Sequence, residues 1–285
     1  MCIHIHIHIL IHICTHIHIN IHIHFKRGKG VFEMEIISIA LQKGGTAKTT
    51  TAHNLGAGLH KMGYKVLYID LDGQGSLTYT LNVRTQNRGI YEALKGIVDI
   101  KKTIHHTEQG DIIPADGNLA GIDGELTATG KEYRLKELLE PIKNNYDYII
   151  IDTPPALGIL TVNALTVSDS LIIPLQADIF SLQGVGQLYS TIQAIQRYTN
   201  PQLKIKGFLI NRYNARSILT RDITATIEDT AKSLNTKLFN TKIRECIAIK
   251  EAQTQQANIF DYAPNSNAAK DYNNFISEVI NDVDN

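Results

Sequence analysis

The chain has 285 residues, of which 43% are hydrophobic and 20% are charged, so it can bury a sizeable core and is not disordered throughout. Lysine plus arginine equals aspartate plus glutamate at 28 each, so the overall charge points to neither a nucleic-acid nor a membrane partner. Any surface for such a partner must therefore be a local patch.

The first 33 residues differ from the rest of the chain. Residues 1–24 hold eight of the twelve histidines and ten isoleucines in near-strict alternation, without a charged side chain. Polar rings at every second position exclude a transmembrane helix, and a secretory signal is a poor fit because the basic cluster follows the apolar run. We interpret residues 1–33 as a low-complexity extension, either disordered or upstream of a functional start at Met34. A strand whose histidine face chelates a metal loosely is the alternative.

Residues 34–285 contain 25 basic and 27 acidic side chains, and short apolar runs alternate in them with helical patterns. The predicted strands are Ile36–Leu41, Val66–Ile69, Tyr148–Ile151, Ser170–Pro174 and Ile205–Ile210. The predicted helices are Lys48–Met62, Lys131–Asn144, Leu182–Thr199, Ile218–Leu234 and Asn267–Ile280, the first of them ended by a left-handed cap at Gly63. This order predicts a single α/β domain, a doubly wound and mostly parallel sheet with helices on both faces.

A glycine-rich turn joins the first predicted strand to the first predicted helix. Its sequence is Gln42-Lys43-Gly44-Gly45-Thr46-Ala47-Lys48-Thr49-Thr50. A strand, a turn of this kind and a helix N-terminus make an anion site, in which Lys48 reaches phosphate groups and the Thr49 hydroxyl takes a Mg²⁺ position. The ordinary pattern GxxxxGK[ST] is not matched, because Gln42 and Ala47 occupy its glycine positions. We expect the Ala47 methyl group to disfavour a positive φ and to weaken nucleotide affinity.

Carboxylates follow two other predicted strands. Asp70 and Asp72 come at the end of the second strand, and Asp152 ends the apolar strand before Thr153-Pro154-Pro155. Acidic residues at the carboxyl ends of parallel strands lie where ligands bind in such sheets. Taken alone, the turn after Asp70 is as typical of a capping turn as of a catalytic one.

Together these segments resemble the ParA/MinD group of P-loop ATPases. The loop is similar to the deviant form K-G-G-x-G-K-[ST]-[ST], the Asp70 segment to D-x-D-P-Q-G with Gly73 in place of proline, and the Asp152 segment to D-x-P-P. The resemblance implies a P-loop NTPase fold and Mg²⁺-dependent hydrolysis of ATP to ADP and phosphate. It implies catalytic roles for Lys43, acting across a homodimer, for Lys48 and for Asp72. The implied nucleotide contacts are Gly44, Gly45, Thr46, Ala47, Lys48, Thr49, Thr50 and Asn211, and the implied metal shell is Thr49, Asp70 and Asp152.

Two later segments indicate the branch of the group. Residues 173–184 are similar to the P-x-Q-x-E-x-F-x-L-x-G stretch of plasmid and chromosome partition ATPases, and residues 243–262 to their C-terminal region. The acidic end of the chain disfavours a membrane-binding helix of the MinD kind. Cys246 is the one cysteine of the body, which disfavours an iron–sulfur reductase, and the tail is not tyrosine-rich as in the bacterial tyrosine kinases.

The resemblance therefore implies a cytoplasmic, nucleoid-associated partition ATPase that dimerises on ATP and binds duplex DNA without sequence preference. A ParB-type centromere-binding protein is its implied partner, and no membrane is. Such DNA binding needs clustered basic residues, although each one is equally typical of a solvated face. The candidates are Arg212, Arg216, Arg244 and Lys250, with Lys204, Lys206 and Arg221 in the wider set. A MinD-like positioning or scaffold ATPase that acts on a protein assembly without DNA is the alternative.

Overall fold

The computed structural model describes residues 34–281, which form one seven-stranded sheet in the order β3-β4-β2-β5-β1-β6-β7. The strands are β1 (Glu35–Ile39), β2 (Val66–Asp70), β3 (His105–Thr107), β4 (Gly110–Ile113), β5 (Tyr148–Asp152), β6 (Ser170–Leu175) and β7 (Lys204–Ile210). Every neighbouring pair is parallel except β3 with β4. The α/β class with a mostly parallel, doubly wound sheet is confirmed. The predicted extension, residues 1–33, lies outside the described residues.

Helices follow most of the strands. They are α1 (Lys48–Lys61), α2 (Ser76–Thr80), α3 (Ile90–Leu94), α4 (Ile122–Glu125), α5 (Arg134–Leu139), α6 (Ile159–Val167), α7 (Ile179–Tyr198), α8 (Ile218–Ser233), α9 (Ile247–Thr254), α10 (Ile259–Tyr262) and α11 (Asn267–Asn281). Single 3₁₀ turns lie at Ile100–Lys102, Gly117–Gly121, Lys131–Tyr133 and Lys143–Asn145. None of the helices in the described part of the chain has both the length and the apolar character needed to span a bilayer.

The central strands are buried on both faces, which is why their sequences are nearly continuous apolar runs. Successive side chains still point to opposite sides of the sheet. Ile37 packs in the cluster that contains α1 and α11, whereas its neighbour Ile36 packs in the cluster that contains α5 and α6. Both faces of the sheet are therefore covered, and ligands can approach it only from its ends.

The prediction of one helix over Lys131–Asn144 was wrong. A 3₁₀ turn precedes α5, α5 ends at Leu139, and a second 3₁₀ turn begins at Lys143. Pro141 lies in the gap and has no N–H group to continue a helical ladder. The hairpin of β3 and β4 was missed, since its first strand, His105–Thr107, is three residues long and has no buried residue.

The topology gathers three loops at one end of the sheet. β1, β2 and β5 are adjacent and parallel, so their carboxyl ends lie side by side. Asp152 is the register partner of Ile39 on one side and of Asp70 on the other. The glycine-rich turn after β1 and the two acidic segments therefore lie side by side at the carboxyl end of the sheet.

Candidate functional site

The glycine-rich turn contains two residues in the left-handed region. Gly45 has φ 76°, and Ala47, which precedes α1, has φ 71° and ψ 31°. The Gln176 side-chain amide donates to the Gly45 carbonyl at 2.7 Å, and the Lys48 ammonium donates to the Lys43 carbonyl at 3.0 Å. The alanine thus takes the positive φ that its methyl group disfavours, and it does so at a conformational cost.

A cavity of about 590 Å³ opens between this turn and the C-terminal helices, a volume within the range of small-ligand sites. Most of the predicted site residues line it: Gly44, Gly45, Ala47, Lys48, Thr49, Thr50, Asp72, Asn211, Arg212, Arg244 and Lys250. Thr46 is fully buried and does not line it, and neither do Lys43, Asp70, Asp152 and Arg216.

Asp152 lies at the base of this site with no exposed surface. Neither of its carboxylate oxygens has a hydrogen-bond partner among the described residues. Burial raises the pKa of Asp152 well above its ordinary value, and the Asp70 carboxylate adds to the rise, while the nearby Thr49 hydroxyl and Lys48 ammonium oppose it. An orphaned buried carboxylate beside a hydroxyl and a phosphate-type loop is a donor set that suits a hard cation such as Mg²⁺.

Lys48 is almost completely buried, with 7% of its surface exposed. Burial lowers its pKa, whereas the negative charges of Asp152 and Asp72 act in the opposite direction. The ammonium group therefore lies where an anionic ligand in the cavity would meet a partly desolvated positive charge, and such a charge attracts anions more strongly than one in water.

The hydrogen bonds of Asp70 give its carboxylate a role other than that of the metal ligand which the resemblance implied. Its Oδ1 accepts from the Asp72 amide at 3.1 Å, and its Oδ2 accepts from the Thr78 amide at 2.9 Å and the Thr78 hydroxyl at 2.7 Å. The same hydroxyl accepts from the Ala115 amide at 2.9 Å. Burial raises the pKa of Asp70 to about 6 against these hydrogen bonds. The carboxyl group thus organises the turn that carries Asp72, and we withdraw it as a metal ligand.

Asp72 is half-buried at the wall of the cavity. Its Oδ1 accepts from the Gln74 amide at 3.0 Å, which fixes the side chain in a turn closed by Gly75. Asp72 therefore also has the role of a capping turn residue, which the sequence left open, because its side chain accepts from an amide of its own turn. Its carboxylate nevertheless faces the same space as Lys48, as general-base or water-orienting chemistry requires.

Lys43 is held within its own chain. Its ammonium donates to both carboxylate oxygens of Asp178 at 2.8 Å and to the Ser181 hydroxyl at 3.3 Å, and it lies 5.8 Å from the centre of the Phe180 ring. Although partial burial opposes the effect, Lys43 and the Ser181 amide hold the pKa of Asp178 below its ordinary value. Asp178 also caps α7 by accepting from that amide at 2.9 Å. The sequence did not predict this pairing.

Two of the basic residues considered for DNA contact form ion pairs within the chain. Lys206 forms a 2.6 Å ion pair with Glu35 in which both side chains are nearly buried, at the amino end of β7 and away from the cavity. Arg244 forms a fork on Asp271, with Nε to Oδ2 at 2.9 Å and Nη2 to Oδ1 at 2.6 Å. We therefore withdraw Lys206 as a DNA contact, because it is nearly buried and its charge is compensated within the chain. Arg244 stays a prediction, since its side chain is 46% exposed beside its ion pair.

The remaining basic candidates are exposed. Lys204 lies at the amino end of β7, whereas Arg216 and Arg221 flank the start of α8. Arg212 and Lys250 are exposed and line the cavity as well. Two exposed basic residues, Arg212 and Lys250, therefore lie at the cavity, and two more, Arg216 and Arg221, are exposed at the start of α8.

Comparisons with known proteins agree with this geometry. The AAA domain family matches residues 34–205. The Bacillus subtilis sporulation initiation inhibitor protein Soj is 41% identical over 250 residues, which cover 86% of this chain and 98% of Soj. This chain belongs to the ParA/Soj family. The group predicted from its motifs is confirmed.

Solved structures that are similar to this chain share its fold. A cobyrinic acid a,c-diamide synthase from Mycobacterium smegmatis, with bound ATP analogue and magnesium, is 34% identical with a TM-score of 0.76, over 86% of this chain and 93% of that one. A plasmid partition protein from Borrelia burgdorferi bound to AMPPNP is 28% identical with a TM-score of 0.74, over 87% of this chain and 98% of that one.

The ParA/Soj-like segment 173–184 also has a structural reason for its final glycine. A Cβ atom at Gly184 would lie 3.1 Å from the Gln42 carbonyl oxygen and 3.3 Å from the Leu41 side chain. Helix α7 can therefore pack directly on the backbone that enters the phosphate-type loop. The residues that sequence reasoning missed, such as Gln253 and Tyr79 in the cavity wall, carry no motif that could have identified them.

Proposed function

We propose that this protein is a Mg²⁺-dependent ATPase of DNA partition, which binds ATP in the 590 Å³ cavity. The observation that carries the proposal is the meeting of Lys48, Asp72 and the orphaned Asp152 carboxylate at the end of three adjacent parallel strands. Support for the partition role comes from the names of its relatives, among them the Caulobacter vibrioides chromosome partitioning protein ParA at 38% identity.

The Asp152 carboxylate and the Thr49 hydroxyl are the residues that would hold Mg²⁺. The ion supplies charge neutralisation at the β- and γ-phosphate oxygens. Backbone N–H groups of Gly44 to Lys48 would donate to the phosphates at the start of α1, where the helix dipole favours negative charge. Lys48 adds its partly desolvated charge at the same place.

Hydrolysis needs a positioned water more than it needs covalent chemistry. Water attacks the γ-phosphorus, the bond to the bridging oxygen breaks, and ADP and phosphate leave. In this account Asp72 orients the water and accepts its proton. Asp70 supports that role indirectly, because its bonds to the Asp72 and Thr78 amides fix the turn.

Lys43 has to leave Asp178 before it can act across a homodimer. The pair is partly exposed, with 25% of the Lys43 and 31% of the Asp178 side chain accessible, so exchanging it for a phosphate contact is energetically modest. The proposal is that the partner's nucleotide takes the place of Asp178 in the ATP-bound dimer. ADP, which lacks the γ-phosphate, leaves Lys43 on its own Asp178.

Binding to duplex DNA would use exposed basic residues, namely Arg212 and Lys250 at the cavity and Arg216 and Arg221 at the start of α8. Contacts to phosphates alone give sequence-independent and strongly salt-dependent affinity. A dimer doubles the number of these phosphate contacts, which ties DNA binding to the nucleotide. A ParB-type protein then stimulates hydrolysis and release, and the cycle acts in the cytoplasm on the nucleoid.

Phosphate release from ATP, measured with and without Mg²⁺, tests the enzymatic part. Lys48→Ala is expected to abolish nucleotide binding, and Asp72→Ala to keep binding while hydrolysis falls at least about a hundredfold. Lys136→Ala, an exposed lysine on α5, is the matched control and should match the wild type. Wild-type protein that binds no ATP, or an Asp72→Ala variant with full turnover, would contradict the assignment.

A further inference from the structure

Helix α9 reaches into the cavity through one side chain. The Gln253 amide Nε2 donates to the Thr50 hydroxyl oxygen at 2.9 Å, across 203 positions of sequence. Both residues line the cavity, and Thr50 is the third residue of α1, directly after the loop lysine and Thr49. A residue far along the chain thus contacts the phosphate-binding turn itself.

The contact decides what the Thr50 hydroxyl can do. A threonine hydroxyl has one proton to donate and two lone pairs to accept with. Within helices such a proton commonly goes to the carbonyl four residues earlier, as it does from Thr224 to Thr220 at 2.6 Å and from Thr230 to Thr226 at 2.8 Å in α8. Among the described residues the Thr50 hydroxyl donates to no such carbonyl, and its oxygen accepts a hydrogen bond from Gln253.

The Thr50 carbonyl is linked to the C-terminal region through Asn54 of the same helix. This carbonyl accepts from the buried Asn54 amide at 2.9 Å, and the Asn54 oxygen accepts from the Ile259 amide at 3.0 Å. The Gln256 side chain, just after α9, donates to the Tyr79 carbonyl in α2 at 3.0 Å. The chain just after Gln253 is therefore anchored at two points, Gln256 and Ile259, and these contacts hold the end of α9 against α1 and α2.

We propose that Gln253 is a positioning residue for nucleotide binding: by occupying a lone pair of the Thr50 oxygen, it aims the hydroxyl proton at a phosphate oxygen in the cavity. The inference rests on the proposed ATP binding. It makes a residue of α9, outside every phosphate-binding motif of the chain, a determinant of ATP affinity. Gln253 acts through Thr50, and its amide donor is what matters.

The test is ATP affinity, measured by calorimetry at fixed Mg²⁺, for variants that change the donor. Gln253→Ala removes one hydrogen bond and is expected to weaken ATP binding about three- to tenfold. Gln253→Glu can only accept from Thr50 and adds a negative charge, so its loss is larger. Gln253→Lys keeps a donor and adds a positive charge, so its affinity is expected to be no more than about threefold below that of the wild type. Gln255→Ala, an exposed glutamine of the same segment, is the matched control.

A double-mutant cycle separates positioning from mere structure. If Gln253 acts through the hydroxyl, Gln253→Ala has no further effect in a Thr50→Val background, and melting temperatures of all the variants stay close to that of Gln255→Ala. Equal affinity of Gln253→Ala and Gln255→Ala, or additive losses in the cycle, overturns the inference while the ATPase proposal stands. Wild-type protein without ATP affinity removes both.

Discussion

The left-handed alanine in the phosphate loop gives a prediction with a definite sign. Ala47 has φ 71° and ψ 31°, where a Cβ atom costs roughly 1–2 kcal/mol. Glycine avoids that strain but loses about 0.5–1 kcal/mol more backbone entropy on folding than alanine does. The balance predicts that Ala47→Gly stabilises the chain by about 0.5–1 kcal/mol, which raises the melting temperature by about 1–4 °C for a domain of this size.

The assay is thermal unfolding without nucleotide, followed by circular dichroism. Ala225→Gly is the matched control, because Ala225 is exposed in the right-handed helix α8, where the same substitution should cost about 1 kcal/mol. The two variants are therefore expected to shift the melting temperature in opposite directions. A lower melting temperature for both would refute the assignment of strain to Ala47.

The remaining predictions concern three buried or paired groups. Asp178→Asn keeps an acceptor for the Ser181 amide at the start of α7 but removes the negative charge that holds Lys43. Lys43 is then free to contact the partner's nucleotide, so sedimentation with ATP should show a dimer at lower protein concentration. Stability should change by less than about 1 kcal/mol, since the pair is partly exposed, and a weaker dimer would count against the exchange. Lys206→Met leaves the Glu35 carboxylate buried without its cation, so urea unfolding should show a loss of about 3 kcal/mol or more, and a loss below about 1 kcal/mol would contradict the buried pair. Burial lowers the pKa of His53 to about 4 despite its hydrogen bond to Gln109. Above about pH 6.5 the ring is neutral in the folded and in the unfolded protein. As the pH falls towards 4, the unfolded chain is protonated first. Stability is then lost by up to about 1.4 kcal/mol per pH unit, and His53→Gln should remove this part of the slope between pH 7.5 and 5; equal slopes in urea titrations would disprove it.

The sequence predicted the parts of the fold that rest on strong local patterns. Four central strands, β1, β2, β5 and β6, are short runs rich in Ile, Leu and Val with nearly every residue buried, and the first helix ends where Gly63 takes φ 92°. The phosphate loop and the acidic strand ends were predictable because parallel strands deliver their carboxyl ends to one edge. The edge hairpin of β3 and β4 was not, since β3 has three polar residues and no buried one, and β4 has only four residues, too few to show a hydrophobic period.

The ion pairs of the loop lysine and of Lys206 could not be predicted, because they join positions far apart in the chain. Lys43 meets Asp178 across 135 positions, and Lys206 meets Glu35 across 171. Both lysines look like free positive charges in the sequence, although only the fold brings a carboxylate to each. Asp70 is similar, because its task depends on the amides of a turn whose shape the sequence does not specify.

The central claim is that ATP in this cavity switches DNA binding on, and a gel shift on an arbitrary duplex tests it most directly. The account predicts a shift with ATP and Mg²⁺, none with ADP, none for Lys48→Ala with either nucleotide, and loss of the shift at high salt. Binding that is the same with ATP and ADP, or no binding at all by protein that hydrolyses ATP, would contradict it.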